Sequence, residues 1–178
     1  MKKNSLLFLT AIVFASCNSG TATKDAMNDS STSTASATTM NYPYTIDHPD
    51  YWDMGSNENT MAALSALKAY ENGDVPASLK YFGDSVRLEF DALDTILSND
   101  GLKEMFTKQR SNYKSMDIKM SDWESVISKD KAAEWVTIWY TQKWEDTNGM
   151  QDSADVINDL KMKDGKIVQL DEFTRKLH

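Results

Sequence analysis

Residues 59–91 read NTMAALSALKAYENGDVPASLKYFGDSVRLEFD, which is helix, tight break, short helix and strand in succession. Leu64, Leu67 and Tyr70 recur at a spacing of three, with Ala63 beside them, and so draw one apolar helical stripe. Asn72-Gly73 ends that helix, because glycine takes a left-handed C-terminal conformation with no Cβ penalty. Asp74 caps the next helix, and Pro76 sits in its first turn, where a missing N–H costs nothing. Leu79, Tyr81 and Phe82 supply the buried side of that second helix. After Gly83-Asp84 the period changes to two: Val86, Leu88 and Phe90 share one face, Arg87, Glu89 and Asp91 the other.

Downstream, Asp91 to Asn99 reads as a connection. A third helix follows over about Leu102 to Tyr113, with Leu102, Met105, Phe106, Gln109 and Tyr113 on one side. Four strand-like segments come next: Met116–Ser128 with a bulge near Ser121-Asp122, Ala133–Trp144, Ser153–Lys163 and Ile167–Arg175. Turns at 128–131, at Asn148-Gly149 and at Asp164-Gly165 separate them, the Asn-Gly pair supplying positive φ angles. Helices first and an antiparallel meander afterwards make an α+β domain. The segment AEWVTIWYTQKW at 133–144 is the most strand-like in the chain. Val136, Ile138, Tyr140 and Trp144 lie on one face, Trp135, Thr137 and Trp139 on the other. A strand with one wet face alternates apolar with polar, and this one does not. Both faces therefore call for cover. The helices take one; a second protomer, making a homodimer through the sheet, or the aromatic arm described next takes the other.

Upstream, residues 42–55 form an arm carrying Tyr42, Tyr44, Tyr51 and Trp52 around two prolines. Its aromatics predict docking on the domain, the alternative being a lid over a pocket mouth. Asn18 to Met40 has 15 Ser, Thr or Ala among 23 residues, too little apolar surface to offset ordering. Residues 17–41 thus read as a tether, reaching roughly 25–30 Å. Residues 1–16 read as a secretory leader: Lys2-Lys3, then the 10-residue apolar run Leu6–Ala15, too short to span a bilayer. Phe14-Ala15-Ser16-Cys17 resembles a bacterial lipobox with phenylalanine where leucine is usual. It implies lipidation of Cys17, the only cysteine. The expected address is the bacterial cell envelope, with the lipid holding the protein on the outer membrane. Loss of Lys2 and Lys3 would take the formal net charge from −8 to −10. Such a chain has no electrostatic footprint for nucleic acid, so its membrane contact would be the lipid alone.

The domain, residues 56–178, resembles the NTF2-like, or SnoaL-like, superfamily. The matching residues are Ala69-Tyr70-Glu71-Asn72-Gly73-Asp74, Leu79-Lys80-Tyr81-Phe82 with Gly83-Asp84-Ser85-Val86, Trp135-Val136-Thr137-Ile138-Trp139, and the terminal hairpin Asp159 to Ile167. The resemblance implies a cone: three helices in the concavity of a bent sheet, a pocket between them, and frequent dimers. The fold hosts isomerases, dehydratases, cyclases and non-catalytic binders alike. Carried over residue by residue, the isomerases' base position falls near Asp91 or Glu89, their tyrosine position near Ala66, and their acid position on Asn158. An amide lacks the tunable proton of a general acid, so Asp91 is the one candidate catalytic residue. The dehydratases' pocket histidine has no counterpart, since the two histidines are His48 and His178. No zinc site, nucleophile triad, calcium loop or phosphate loop is legible, and no metal or cofactor is called for. What remains is an aromatic-lined concavity, with Phe90, Phe106, Tyr113, Trp123, Trp139 and Asn158 as candidate ligand-binding residues; the same aromatics would equally fill a solid core. The reading expects a non-catalytic binder of a small apolar molecule or a protein partner. Its alternative is a small-molecule isomerase, dehydratase or cyclase using Asp91.

Overall fold

A computed structural model of the protein describes residues 42–45, 51–91 and 93–177. The leader, Cys17, the tether to residue 41, His48 and His178 lie outside the described residues. Thr45–His178 forms one unit. Of the other, Met1–Tyr44, only Tyr42–Tyr44 are described.

Seven strands make one sheet in the order β1-β4-β5-β6-β7-β2-β3. They are β1 (Trp52–Met54), β2 (Phe82–Phe90), β3 (Leu93–Ser98), β4 (Tyr113–Ser128), β5 (Glu134–Asp146), β6 (Gln151–Lys163) and β7 (Lys166–Leu177). The helices are α1 (Asn57–Glu71), α2 (Val75–Leu79) and α3 (Asn99–Arg110). Every neighbouring pair is antiparallel except β2 with β7, which run parallel. Register shifts in β4 between Met120 and Asp122, and in the β6–β7 pair at Lys161/Met162, insert extra residues. Bulges of this kind bend a sheet, and here they leave it concave toward the helices.

Local chemistry sets the boundaries. Ser56 Oγ accepts from the Asn59 N–H at 3.0 Å, and Asp74 Oδ1 accepts from the Ala77 N–H at 3.0 Å, so both helices start on side-chain caps. Gly73, at φ +82°, closes α1 as the sequence requires. Four expectations shift. The connection at 91–99 contains the edge strand β3. The third helix starts earlier, capped by Ser98, and stops at Arg110, so that Tyr113 opens β4 rather than closing a helix. Phe82 opens β2 rather than closing α2. The 147–149 turn has its positive φ at Gly149 alone. Asp146 Oδ1 accepts from the N–H groups of Asn148 and Met150, both at 2.8 Å, and this side-chain bracket does the work expected of Asn148.

The core lies between the helices and the even-numbered residues of β5. Val136 and Ile138 are fully buried there and Tyr140 nearly so. In α1, Ala63 and Ala66 are buried in the core, with Leu64, Leu67 and Tyr70 half-buried beside them. The arm docks in part: β1 pairs with the edge of β4, the Lys129 N–H donates to Tyr51 O at 2.8 Å, and Tyr51 Oη donates to Asp130 at 2.7 Å. A Cβ on Gly55 would stand 2.1 Å from Ser125 Oγ, so this close passage demands glycine.

Candidate functional site

The helices do not fill the concavity. Between them and the sheet a cavity of about 360 Å³ remains, at the small end of the roughly 300–1,000 Å³ of small-molecule sites. Its apolar end is built by Ala63, Ala66, Phe82, Phe106, Leu160 and Ile167. The strands also bring Tyr140, Gln142, Asn158, Glu172 and Thr174 to it, with Tyr70, Gln109, Tyr113, Trp144 and Lys176 completing the lining.

Pairing explains why these polar groups meet. Asn158 stands across from Ile138 on β5 and from Glu172 on β7. Residues directly opposite in a sheet share a face, so both lie on the floor of the cavity. Phe90 pairs with Glu172 from the other side. Asn158 is 6% exposed; its Nδ2 donates to Tyr140 Oη at 3.2 Å, and its Oδ1 has no partner among the described residues. Tyr70 Oη donates to Gln109 Oε1 at 3.2 Å. The mounting of this wall is firm. Arg110 donates to Tyr70 O at 3.1 Å, Glu71 O at 3.0 Å and Tyr113 O at 2.8 Å, satisfying carbonyls at the end of α1 and tying α1 and α3 to β4.

Glu172 is the group that matters most. Burial, then the nearby charge of Asp91, push its carboxyl above the usual range, with a hydrogen bond to Thr174 opposing them. The same burial, with Glu172 close by, raises Tyr70, Tyr113 and Tyr140, so all three are neutral hydroxyls at physiological pH. A protonated carboxyl among tyrosine hydroxyls can donate a hydrogen bond to a ligand oxygen or pass a proton to it. Among the described residues no group of three His, Cys, Asp or Glu is placed to hold a metal ion.

Of the candidates read from sequence, the fold brings Phe90, Phe106, Tyr113 and Asn158 into the cavity. Trp139 and Trp123 are corrected. Trp139 is an odd residue of β5, faces the convex side and lines a shallow groove there with Ile157 and Phe173. Trp123 is 50% exposed and lines no part of the cavity. Asp91 is corrected too: it is exposed, sits in a turn at φ +44° and does not line the cavity. Tyr51–Met54 do not line it either; within the arm, β1 (Trp52–Met54) is an edge strand. Sequence reading missed Glu172 for a definite reason. Counting by twos from buried Ile167 puts Phe173 inside and Glu172 outside. The bulge at Val168, where Met162 pairs with Ile167 but Lys161 with Gln169, inverts that parity.

No protein-family model matches the sequence, and no curated protein matches it. Solved structures do. An NTF2-like protein from Burkholderia pseudomallei superposes with TM-score 0.54 at 12% identity, over 67% of this chain and 92% of that one. The domain has an NTF2-like fold. A Mycobacterium tuberculosis LEH-like epoxide hydrolase matches with TM-score 0.55 at 15% identity, over 67% of this chain and 84% of that one. TerC, co-crystallised with polyporic acid, matches with TM-score 0.54 at 17% identity, over 67% of this chain and 92% of that one. At such identities the likeness fixes architecture, and the α+β cone is a sheet-dominated version of it.

Proposed function

We propose that the NTF2-like domain takes a small, largely apolar molecule into the concave cavity, where an oxygen of that molecule meets the protonated carboxyl of Glu172. The observation that carries this reading is the half-buried Glu172 carboxyl on the floor of the cavity, with no ion-pair partner among the described residues, beside three neutral tyrosines. Such a group costs stability, and perturbed groups of this kind concentrate at functional sites. The second reading, turnover by proton transfer, is favoured by the same carboxyl; its acid is Glu172 rather than Asp91, which stands off the cavity. Structural neighbours include a protein described as an epoxide hydrolase, so the fold is compatible with either reading.

Naphthol, an apolar ring system with one hydroxyl, serves as a probe, and naphthalene as its apolar control. Naphthol should bind one site and quench Trp144, which lines the cavity. Ala66→Leu should weaken it at least tenfold by filling the apolar end, while Glu172→Gln, which keeps a donor but no transferable proton, should retain binding and abolish any turnover. Naphthol binding that is indifferent to Ala66→Leu would sink the cavity reading.

The proposed address is the bacterial envelope, through lipid on Cys17. Its support is the apolar run followed by Ala15-Ser16-Cys17. Two acyl signals give stable anchoring where one does not. Cys17→Ser should therefore move the protein from the membrane to the soluble fraction; retention in the membrane would refute the anchor.

A further inference from the structure

We infer that the molecule taken into the cavity is an apolar carboxylic acid, its carboxylate received between the Lys176 ammonium and the Gln142 amide. The inference rests on the cavity reading above and names the chemical class of its ligand.

The geometry lies in one row of the sheet. Ala154 on β6 has Gln142 as its Cα partner on β5 and Lys176 as its Cα partner on β7. Residues directly opposite one another share a face, and all three line the cavity. Adjacent strands lie about 4.8 Å apart, so Gln142 and Lys176 stand about 10 Å from each other with only the Ala154 methyl group between them. A carboxylate over Ala154 is within reach of both side chains. Neither is engaged elsewhere: among the described residues Gln142 makes no side-chain hydrogen bond and Lys176 no ion pair. Asp152, diagonal to Lys176 on the same face of β6, accepts instead from the Ser153 N–H at 2.8 Å.

The charges of the lining point the same way. The chain has 27 acidic and 19 basic side chains, yet the lining holds one acid, Glu172, and one base, Lys176. Burial favours the uncharged form of Glu172. Lys176 then gives the wall a positive charge within an acidic protein. A carboxylate that accepts from an ammonium makes charge-assisted hydrogen bonds, roughly twice as strong as neutral ones.

The floor also sets the order of groups along the ligand. Successive rows of β6 and β7 are Leu160 with Leu170, Asn158 with Glu172, Val156 with Thr174, and Ala154 with Lys176. Glu172 and Lys176 are four residues apart, about 13 Å between Cα atoms, a span that the lysine side chain shortens. The apolar body therefore comes first, then the oxygen that meets Glu172, then the carboxylate.

Naphthoxyacetic acid has that order: a two-ring body, an ether oxygen and a carboxylate. Naphthoxyacetamide, similar in shape and uncharged, is its control. Calorimetric titration of the full-length protein at neutral pH and low salt should show the acid binding about five- to tenfold more tightly than the amide. The preference should shrink as salt is added. Lys176→Gln should remove it, Lys176→Arg should keep it, and Gln142→Leu should reduce it; Lys176 is exposed, so its variants leave the core intact. Acid and amide bound equally by the wild type, or a preference that survives Lys176→Gln, overturns the carboxylate site; if Ala66→Leu still weakens both compounds, the cavity reading stands. Failure of both compounds to bind, or binding indifferent to Ala66→Leu, overturns the cavity reading and the carboxylate site together.

Discussion

The two faces of β5 carry similar side chains and have different fates. Its even residues Val136, Ile138 and Tyr140 are buried under helices or against the cavity. Its odd residues are covered by their own neighbours in the sheet. Lys161 Nζ lies 5.6 Å from the Trp135 ring centroid, Thr137 donates to Asp159, Thr141 donates to Asp155 at 2.9 Å, and Trp139 is half-buried beside Ile157 and Phe173. Long polar side chains cover aromatic surface while keeping their charged ends in water. An apolar residue on both faces of a strand therefore demands cover without saying from where. Here a cross-strand lattice of lysine, aspartate and threonine covers part of the face for which the sequence calls on a second protomer or the aromatic arm.

That contrast can be broken by substitution. Ile138→Ala opens a cavity in the fully buried face and should cost about 3–5 kcal/mol in urea unfolding; Trp139→Ala, on the half-covered face, should cost about 1–2 kcal/mol. Equal losses would mean that the two faces are alike. Glu172→Gln sharpens the contrast from the polar side. The folded state holds the Glu172 proton more tightly than the unfolded chain does. Its stabilising contribution is therefore complete below the unfolded value of about 4.3 and is lost as pH rises through the higher folded value. The variant should melt above the wild type at about pH 8, with the advantage closing toward about pH 4. A constant offset across that range would contradict the assignment. The smallest effect is expected at Phe173, 60% exposed on the convex face. Phe173→Lys should change stability by less than about 0.5 kcal/mol. If the proposed homodimer forms through that face, the same variant should halve the mass seen by sedimentation; an unchanged dimer would place the contact elsewhere.

Much of the cone was legible. The α1 stripe, the Asn72-Gly73-Asp74 break, the Asp74 cap, the bulge near Ser121 and the Asp164-Gly165 hairpin are local signals, and each is where local chemistry puts it. The short edge strand β3 was not legible, because Leu93–Ser98 earns its pairing only from β2 across a turn. In the cavity, Phe90 and Phe106 followed from periodicity carried through unbroken segments, and Asn158 from the family resemblance. Tyr113 reached it by a different route, as the first residue of β4 rather than the last of a helix. Glu172 was hidden by one inserted residue at Val168, since a period of two cannot survive a bulge. Trp139 lies on the face that alternation already sets opposite Ile138, and Trp123 pairs with Ile138 yet stays 50% exposed, so a shared face alone does not bring a side chain to the cavity.

The sidedness of the sheet is tested most directly by a crystal structure of the protein with naphthol bound. The account predicts the ring between Ala66 and Phe106, with its hydroxyl within hydrogen-bond distance of the Glu172 carboxyl. Naphthol seated instead in the groove at Trp139 and Phe173, with the concave cavity closed by its own side chains, would contradict it.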